Sequence, residues 1–292
     1  MIQYNPKDWL SFIFRFHKSD TFIKLWPMIL LICMYSGIVA FFEINYWKWG
    51  ENNKVKNIVV MHSLLGFVIS LLLVFRTNTA YDRWWEGRKL WGSLVNNSRN
   101  LTIKMAAMLP KSDLQNRAFF KAAIPQYAMA LKNHLRSEST RLALDEKEHE
   151  ELKDIDHDKH VPNQLAAVLF KKVNTLFETG KLRGEQLIIT NNELLSLAEI
   201  CGACERIKNT PIPFSYSAFL KKFIFFYVMT LPWGYVYNLG YLVIPVVAFI
   251  FYVLASLELV AEEIEDPFGT DSNDLPMDKM CDNIQKHVNE LL

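Results

Sequence analysis

Three stretches of this sequence contain no Asp, Glu, Lys or Arg: residues 25–42 (LWPMILLICMYSGIVAFF), 58–75 (IVVMHSLLGFVISLLLVF) and 223–257. Hydrophobic residues make up 51% of the 292-residue chain. A soluble domain reaches such a share by spreading apolar positions at helical or strand spacing. Here they are gathered into blocks, and the chain between the blocks is strongly charged, which is the segregation a bilayer imposes. As helices, the first two blocks of about 18 residues extend ~27 Å, close to the hydrocarbon thickness. The third, about 35 residues, would extend ~52 Å, more than one crossing uses. Pro232, Gly234, Asn238 and Gly240 interrupt it, which predicts a helical hairpin with arms at 223–237 and 241–257. Four passes are therefore expected. Pro27 falls in the first turn of the first block, where a missing N–H does little harm. Tyr46, Trp47 and Trp49, between the first two blocks, have the composition of an interfacial aromatic belt.

Basic residues set the orientation. Arg15, Lys18 and Lys24 precede the first block, Arg76, Arg83, Arg88, Lys89 and Arg99 follow the second, and Lys221 and Lys222 precede the third. Lys and Arg near span ends favour the cytoplasm, so both termini are expected inside, in a cell membrane. Lys48, Lys54 and Lys56 on the opposite side are the weaker set. Residues 1–20 mix Trp9, Phe12, Phe14 and Phe16 with Arg15, His17 and Lys18 and show no small-residue cleavage site. They read as a helix lying along the membrane surface rather than a cleavable signal.

Between the second and third blocks the patterns are helical, at 84–108, 114–135, 164–177 and 193–207, without strand alternation. Pro110, Pro162, Pro211 and Pro213 punctuate them, and residues 137–160 form a charge-dense stretch. The expected organisation is all-α: an N-terminal segment with two transmembrane helices (1–76), a cytosolic helical region (77–222), a transmembrane hairpin (223–260) and an acidic cytosolic C-terminal segment (261–292). A net charge of +1 gives no reason to expect nucleic acid, and four Cys do not make a disulfide framework.

Motifs for chemistry are few. Cys201-Gly202-Ala203-Cys204 has thioredoxin-type spacing, but it lies inside the apolar pattern Leu194, Leu197, Ile200, Ile207 and reads as two packed thiols. His149, His157 and His160 stand among Asp154, Asp156 and Asp158 at a spacing that matches no tight ligand set. With no phosphate loop, nucleophile elbow or zinc-protease helix, no catalytic residues are assigned and an enzyme is not expected. Phe67, Leu71 and Phe75, at i, i+4 and i+8, share one helix face. Such faces usually meet lipid or other helices. Arranged around an axis, the same stripe would make stacked apolar rings that gate by expelling water. Glu258, Glu262 and Glu265 lie where the last span leaves the membrane and need partners, with Arg76 or Arg83 as candidates. They are expected to form an inter-helix charge network.

Three ordered stretches carry a family resemblance: residues 75–92 (FRTNTAYDRWWEGRKLWG), 204–214 (CERIKNTPIPF) and 262–276 (EEIEDPFGTDSNDLP). They resemble, respectively, the signature after the second membrane helix of bestrophins, the turn before the third helix in bacterial bestrophin-like proteins, and the family's acidic C-terminal region. The resemblance implies a homopentamer in the lipid bilayer whose second helices line a central pore passing monovalent ions. Phe67, Leu71 and Phe75 would make its neck. It also implies a second, cytosolic aperture at Gln186, where characterised bacterial members carry an apolar residue, so that this aperture would be wetter. In animal members the acidic region clasps calcium. Here Asp271 and Asp274 match carboxylate ligands, but Thr270, Ser272 and Asn273 replace the intervening acidic run, so weak calcium binding at most is expected, and no cofactor is required. Asp271 or Asn273 alternatively caps a helix starting at Met277. The family conducts both anions and cations, and the bacterial character of the pattern leans the expectation toward cations and toward a bacterial inner membrane. The alternative to a channel is a transporter, or a scaffold whose cytosolic helices bind a partner. Internal repeats and midplane charges, which transporters usually show, are missing from the sequence.

Overall fold

The computed structural model describes residues 21–48, 58–137, 155–156 and 159–292. The surface helix expected over 1–20, the Trp49 end of the aromatic belt, and His149, His157, Asp154 and Asp158 lie outside them. Every regular element among the described residues is helical: α1 (Thr21–Phe42), α2 (Ile58–Met108), α3 (Leu114–Arg136), α4 (Val161–Glu178), α5 (Gly184–Asn209), α6 (Phe214–Leu239), α7 (Val243–Glu265) and α8 (Met277–Leu291). Three stretches among them are long and apolar enough to cross a bilayer: Thr21–Trp47, Ile58–Met108 and Phe214–Glu265. The third is two helices joined by a 3-10 turn at Gly240–Leu242.

The chain divides into two compact units. The apolar unit contains the described residues up to Arg83 and Ile212–Glu265. In it, α1 begins at Thr21, so Pro27 stands inside the helix rather than in its first turn. The helix forgoes one backbone bond there, a gap easier to carry among packed helices. α1 ends in a π-helical turn, Glu43–Trp47, closed by Lys48 in the left-handed region (φ 49°), whose N–H donates to the Glu43 carbonyl. Trp47 stacks on Trp233 with ring centroids 5.3 Å apart. Gly240, at φ 54°, turns α6 back into α7. Pro232 and Gly234 do not interrupt α6, and the arm expected at 223–237 is a 26-residue helix that starts at Phe214, directly after Pro213. Pairs along the elements fix their directions. Lys221 meets Glu262 at 2.8 Å, so α6 and α7 are antiparallel. Lys24 meets Glu263 at 2.6 Å, and Phe22 packs edge-on against Tyr252. Buried Ile32, Ile69, Leu73, Val228, Val247 and Phe251 form the interior of this unit.

The second unit comprises Trp84–Pro211 and Asp266–Leu292. Its helices are cut by local signals. Asp113 caps α3, accepting from Asn116 N–H, and is held by Lys181 at 2.7 Å. His160 caps α4, with Pro162 beside it in the first turn. At the start of α5 the Gln186 side chain reaches back to accept from the Arg183 N–H. Trp91, Leu101, Phe120, Tyr127, Leu169 and Phe268 are among its fully buried side chains, and the Tyr127 hydroxyl donates to the Leu197 carbonyl at 2.6 Å. α8 packs its buried Met277, Cys281, Ile284 and Val288 into the same core.

α2 belongs to both units. The apolar block ends at Phe75, but the helix continues unbroken for 51 residues. The reason is local: residues 76–83 contain neither Pro nor Gly. Thr77 and Thr79 turn their hydroxyls back onto the Leu73 and Phe75 carbonyls (2.8 and 2.9 Å), so neither offers the backbone an alternative to the helix.

Candidate pore face and its charged end

Within the apolar unit, α2 has two unlike faces. Ile69, Leu73 and Arg76 are buried, at 0–1% exposure. Phe67, Leu71 and Phe75 are 67%, 45% and 56% exposed. The buried side meets α6 closely. A Cβ on Gly66 would come within 2.8 Å of the Tyr227 hydroxyl, and one on Gly234 within 2.9 Å of His62 Nδ1. His62 Nε2 lies 3.0 Å from Thr230 Oγ1, and Tyr216 donates to the Leu72 carbonyl at 3.1 Å. The Phe67–Leu71–Phe75 stripe thus belongs to the side of α2 that the protomer's own helices leave uncovered, as do Val60, Leu64 and Val74. Val68 stands at its edge, 37% exposed.

One turn beyond Leu72 the character changes. Arg76, 1% exposed, places Nη2 2.7 Å from Glu265 Oε2 and Nε 3.5 Å from Glu258 Oε2. Arg83 Nε donates to the Glu265 backbone carbonyl at 3.0 Å, and Glu265 Oε1 accepts from the Ile212 N–H at 2.7 Å. The expected network therefore assembles from Arg76, Arg83, Glu258 and Glu265. Glu262 is not part of it: this half-exposed side chain pairs with Lys221. Glu263, unnoticed in the sequence because it falls off the i, i+4, i+7 series, is buried and pairs with Lys24. One buried guanidinium between two carboxylates locks the α2–α7 contact at its polar end. Such a cluster is costly to desolvate and costlier to break.

The remaining expected residues are in the second unit. The Gln186 side chain accepts from the Arg183 N–H at 2.9 Å as the helix cap. Two residues on, Ile188 is an apolar side chain left 71% exposed. Asp271 and Asp274 share a turn but differ in environment. Asp274 is buried and its Oδ2 accepts from the Asp271 N–H at 2.6 Å, whereas Asp271 is exposed. Asp274 Oδ2 thus serves as the turn's own hydrogen-bond acceptor. Neither Asp271 nor Asn273 caps α8, whose N-cap is Pro276 with no side-chain bond. The Asn273 carbonyl instead receives the Trp84 indole N–H at 3.0 Å. Burial pushes the Cys201 thiol up to about 12 and raises Cys204 as well, so both are protonated at neutral pH and inert, as packed thiols are.

The family model described as Bacterial/Fungal Bestrophin protein matches residues 1–290. A Synechocystis protein named a voltage-dependent anion channel-forming protein is 31% identical, over 99% of this chain and 93% of the relative. The similarly named YneE of Escherichia coli K12 is 32% identical, over 98% and 92%. Two variant crystal structures of a bacterial bestrophin homologue from Klebsiella pneumoniae match at TM-scores of 0.81 and 0.80. Each is 31% identical and covers 92% of this chain, with 98% and 99% of theirs covered. An uncovered apolar stripe on the second long helix, a buried Arg–Glu lock at its polar end and a whole-length match to one family lead to the same place: the chain is a bacterial/fungal bestrophin and a membrane protein.

Proposed function

We propose that this chain is the pore-forming subunit of an ion channel. Five copies surround one axis, with α2 innermost, and monovalent ions pass passively through an apolar neck of Phe67, Leu71 and Phe75. The observation that carries the reading is the two-faced α2, whose buried side packs into its own helical bundle while Phe67, Leu71 and Phe75 are among the large apolar side chains that stand uncovered. The relatives named as anion channel-forming proteins support it. The second constriction is better assigned to Ile188 than to Gln186, because the Gln186 amide is engaged as a cap and Ile188 is the exposed apolar side chain beside it. The gathering of Lys24, Arg76, Arg83 and Lys221 at one end of the apolar unit supports reading that end as cytoplasmic, with both termini inside.

The neck carries no charge and does not choose an ion's sign. The relatives' names favour anions, whereas the bacterial character of the sequence pattern leans toward cations. Purified protein in liposomes under asymmetric sodium chloride gives the reversal potential. A value near the chloride equilibrium establishes an anion channel, and one near sodium a cation channel. Absence of passive flux in either direction would refute the channel and leave a transporter or scaffold.

A further inference from the structure

Three side chains on three elements of the second unit converge on a point that the channel reading leaves unused. His134 lies in the last turn of α3, His160 is the N-cap of α4, and Glu205 stands on α5. Nε2 of each histidine is 2.6 Å from the same oxygen, Glu205 Oε1. The imidazole centroids are 4.4 Å apart, and one donor atom from each of the three residues lies within 4.8 Å of the others. The side chains are 34%, 31% and 29% exposed, so solvent and solutes reach them. Glu205 is 71 residues from His134 and 45 from His160. No linear spacing reveals the group, and of the histidines considered in the sequence only His160 belongs to it.

We infer that His134, His160 and Glu205 form a binding site for a divalent transition-metal ion of the zinc class. Two imidazole nitrogens and one carboxylate oxygen are the donors that zinc prefers, whereas calcium and magnesium take oxygen shells. Zinc bonds of about 2.0–2.2 Å put tetrahedral ligands ~3.3 Å apart. The two 2.6 Å contacts therefore open by about 0.7 Å to admit the ion, a small movement for side chains at a helix end and a helix cap. Partial exposure leaves the fourth position to water. Burial raises the Glu205 pKa, but the hydrogen bonds from His160 and His134 outweigh it and hold the carboxyl below its usual range. The anion that a cation needs is thus present at neutral pH.

Without metal, hydrogen bonds hold the group. His160 Nδ1 accepts from the Asn163 N–H at 3.1 Å, so its Nε2 carries the proton donated to Glu205. Coordination through Nε2 moves that proton to Nδ1 and frees the Asn163 amide, which gives binding a local signature in the first turn of α4. The ion would tie both flanks of the Ser137–Lys159 connection to α5.

The experiment reads metal rather than current and is independent of the channel proposal. Chelator-stripped protein in detergent is titrated with zinc, and separately with cobalt. One zinc per protomer, a higher Tm, faster exchange of the Asn163 amide, and the strong visible bands of tetrahedral cobalt are expected. Glu205→Gln, which keeps a hydrogen-bond acceptor, should weaken zinc binding at least tenfold and abolish the rise in Tm. Replacing His149 and His157 together by Ala should leave the affinity unchanged. Equal affinity in wild type and Glu205→Gln, or loss of binding on removing His149 and His157, would overturn the assignment. Should Glu205→Gln fail to fold, the wild-type cobalt spectrum still decides, because the weak bands of an octahedral ion reject the site.

Discussion

Arg76 is the residue on which the apolar unit has most at stake. It holds one charge against two, Glu258 and Glu265, at 1%, 4% and 14% side-chain exposure. Arg76→Ala leaves two carboxylates facing each other in a dry site and is expected to destabilise by about 3–5 kcal/mol. Arg76→Lys rescues only part of this, since a point charge does not reach both acids as a fork does. Combining Arg76→Met with Glu258→Gln and Glu265→Gln should be milder than Arg76→Ala alone. Thermal melts in detergent check all three, and a neutral Arg76→Ala would show that the lock is unimportant. In the other unit Asp278 joins α8 to α3. Hydrogen bonds from Arg136, then Lys132, hold its carboxyl at about 2. A folded-state pKa below the unfolded one means stability that is fully present above about pH 4 and lost as pH falls through about 2. At 60% side-chain exposure its worth is ~1 kcal/mol. The gap in Tm between wild type and Asp278→Asn should therefore be small and close between about pH 4 and pH 2.

At the scale of elements, the proposed pore face of α2 can be tested apart from its packing face. Replacing Phe67, Leu71 and Phe75 together by Ala should raise single-channel conductance and leave the reversal potential unchanged, because no charge is removed. The proper controls are Ile69→Ala and Leu73→Ala, each expected to lose about 2–4 kcal/mol of stability with conductance unaltered. Conductance that follows the controls and ignores the triple variant would put the wrong face in the pore. Gly87 does for the C-terminal strap what Gly66 does for α6. A Cβ there would sit 3.2 Å from Phe268 ring carbons and from Pro267. Gly87→Leu should unseat residues 266–275, seen as faster proteolysis at that strap. The apolar stripe and the hairpin at Gly240 were legible in the sequence because helical period and breakers are local signals. The continuity of α2 through residue 76 was not, because a drop in hydropathy marks the edge of a membrane and not the end of a helix. Glu263 and the His134–His160–Glu205 group were hidden for another reason: their partners come from distant chain segments, and only packing decides which side chains meet.

At the scale of the whole molecule, native mass measurement should find five protomers, and a stable monomer or dimer would refute the shared pore. Ile188→Ala should change cytosolic-side permeation more than Gln186→Ala. The reverse order would return the aperture to Gln186.

The second unit is discontinuous: Trp84–Pro211 is completed by Asp266–Leu292, which brings Phe268, Leu275, Met277 and Ile284 to the common core. In chain order that completing piece follows the α6–α7 hairpin. Trp84 waits 189 residues for the Asn273 carbonyl that receives its indole. Without that piece Trp84–Pro211 lacks part of its core, so this unit cannot finish folding before the hairpin has been made. A chain truncated before residue 266 should be a chaperone client and a protease substrate, even with all its apolar helices present.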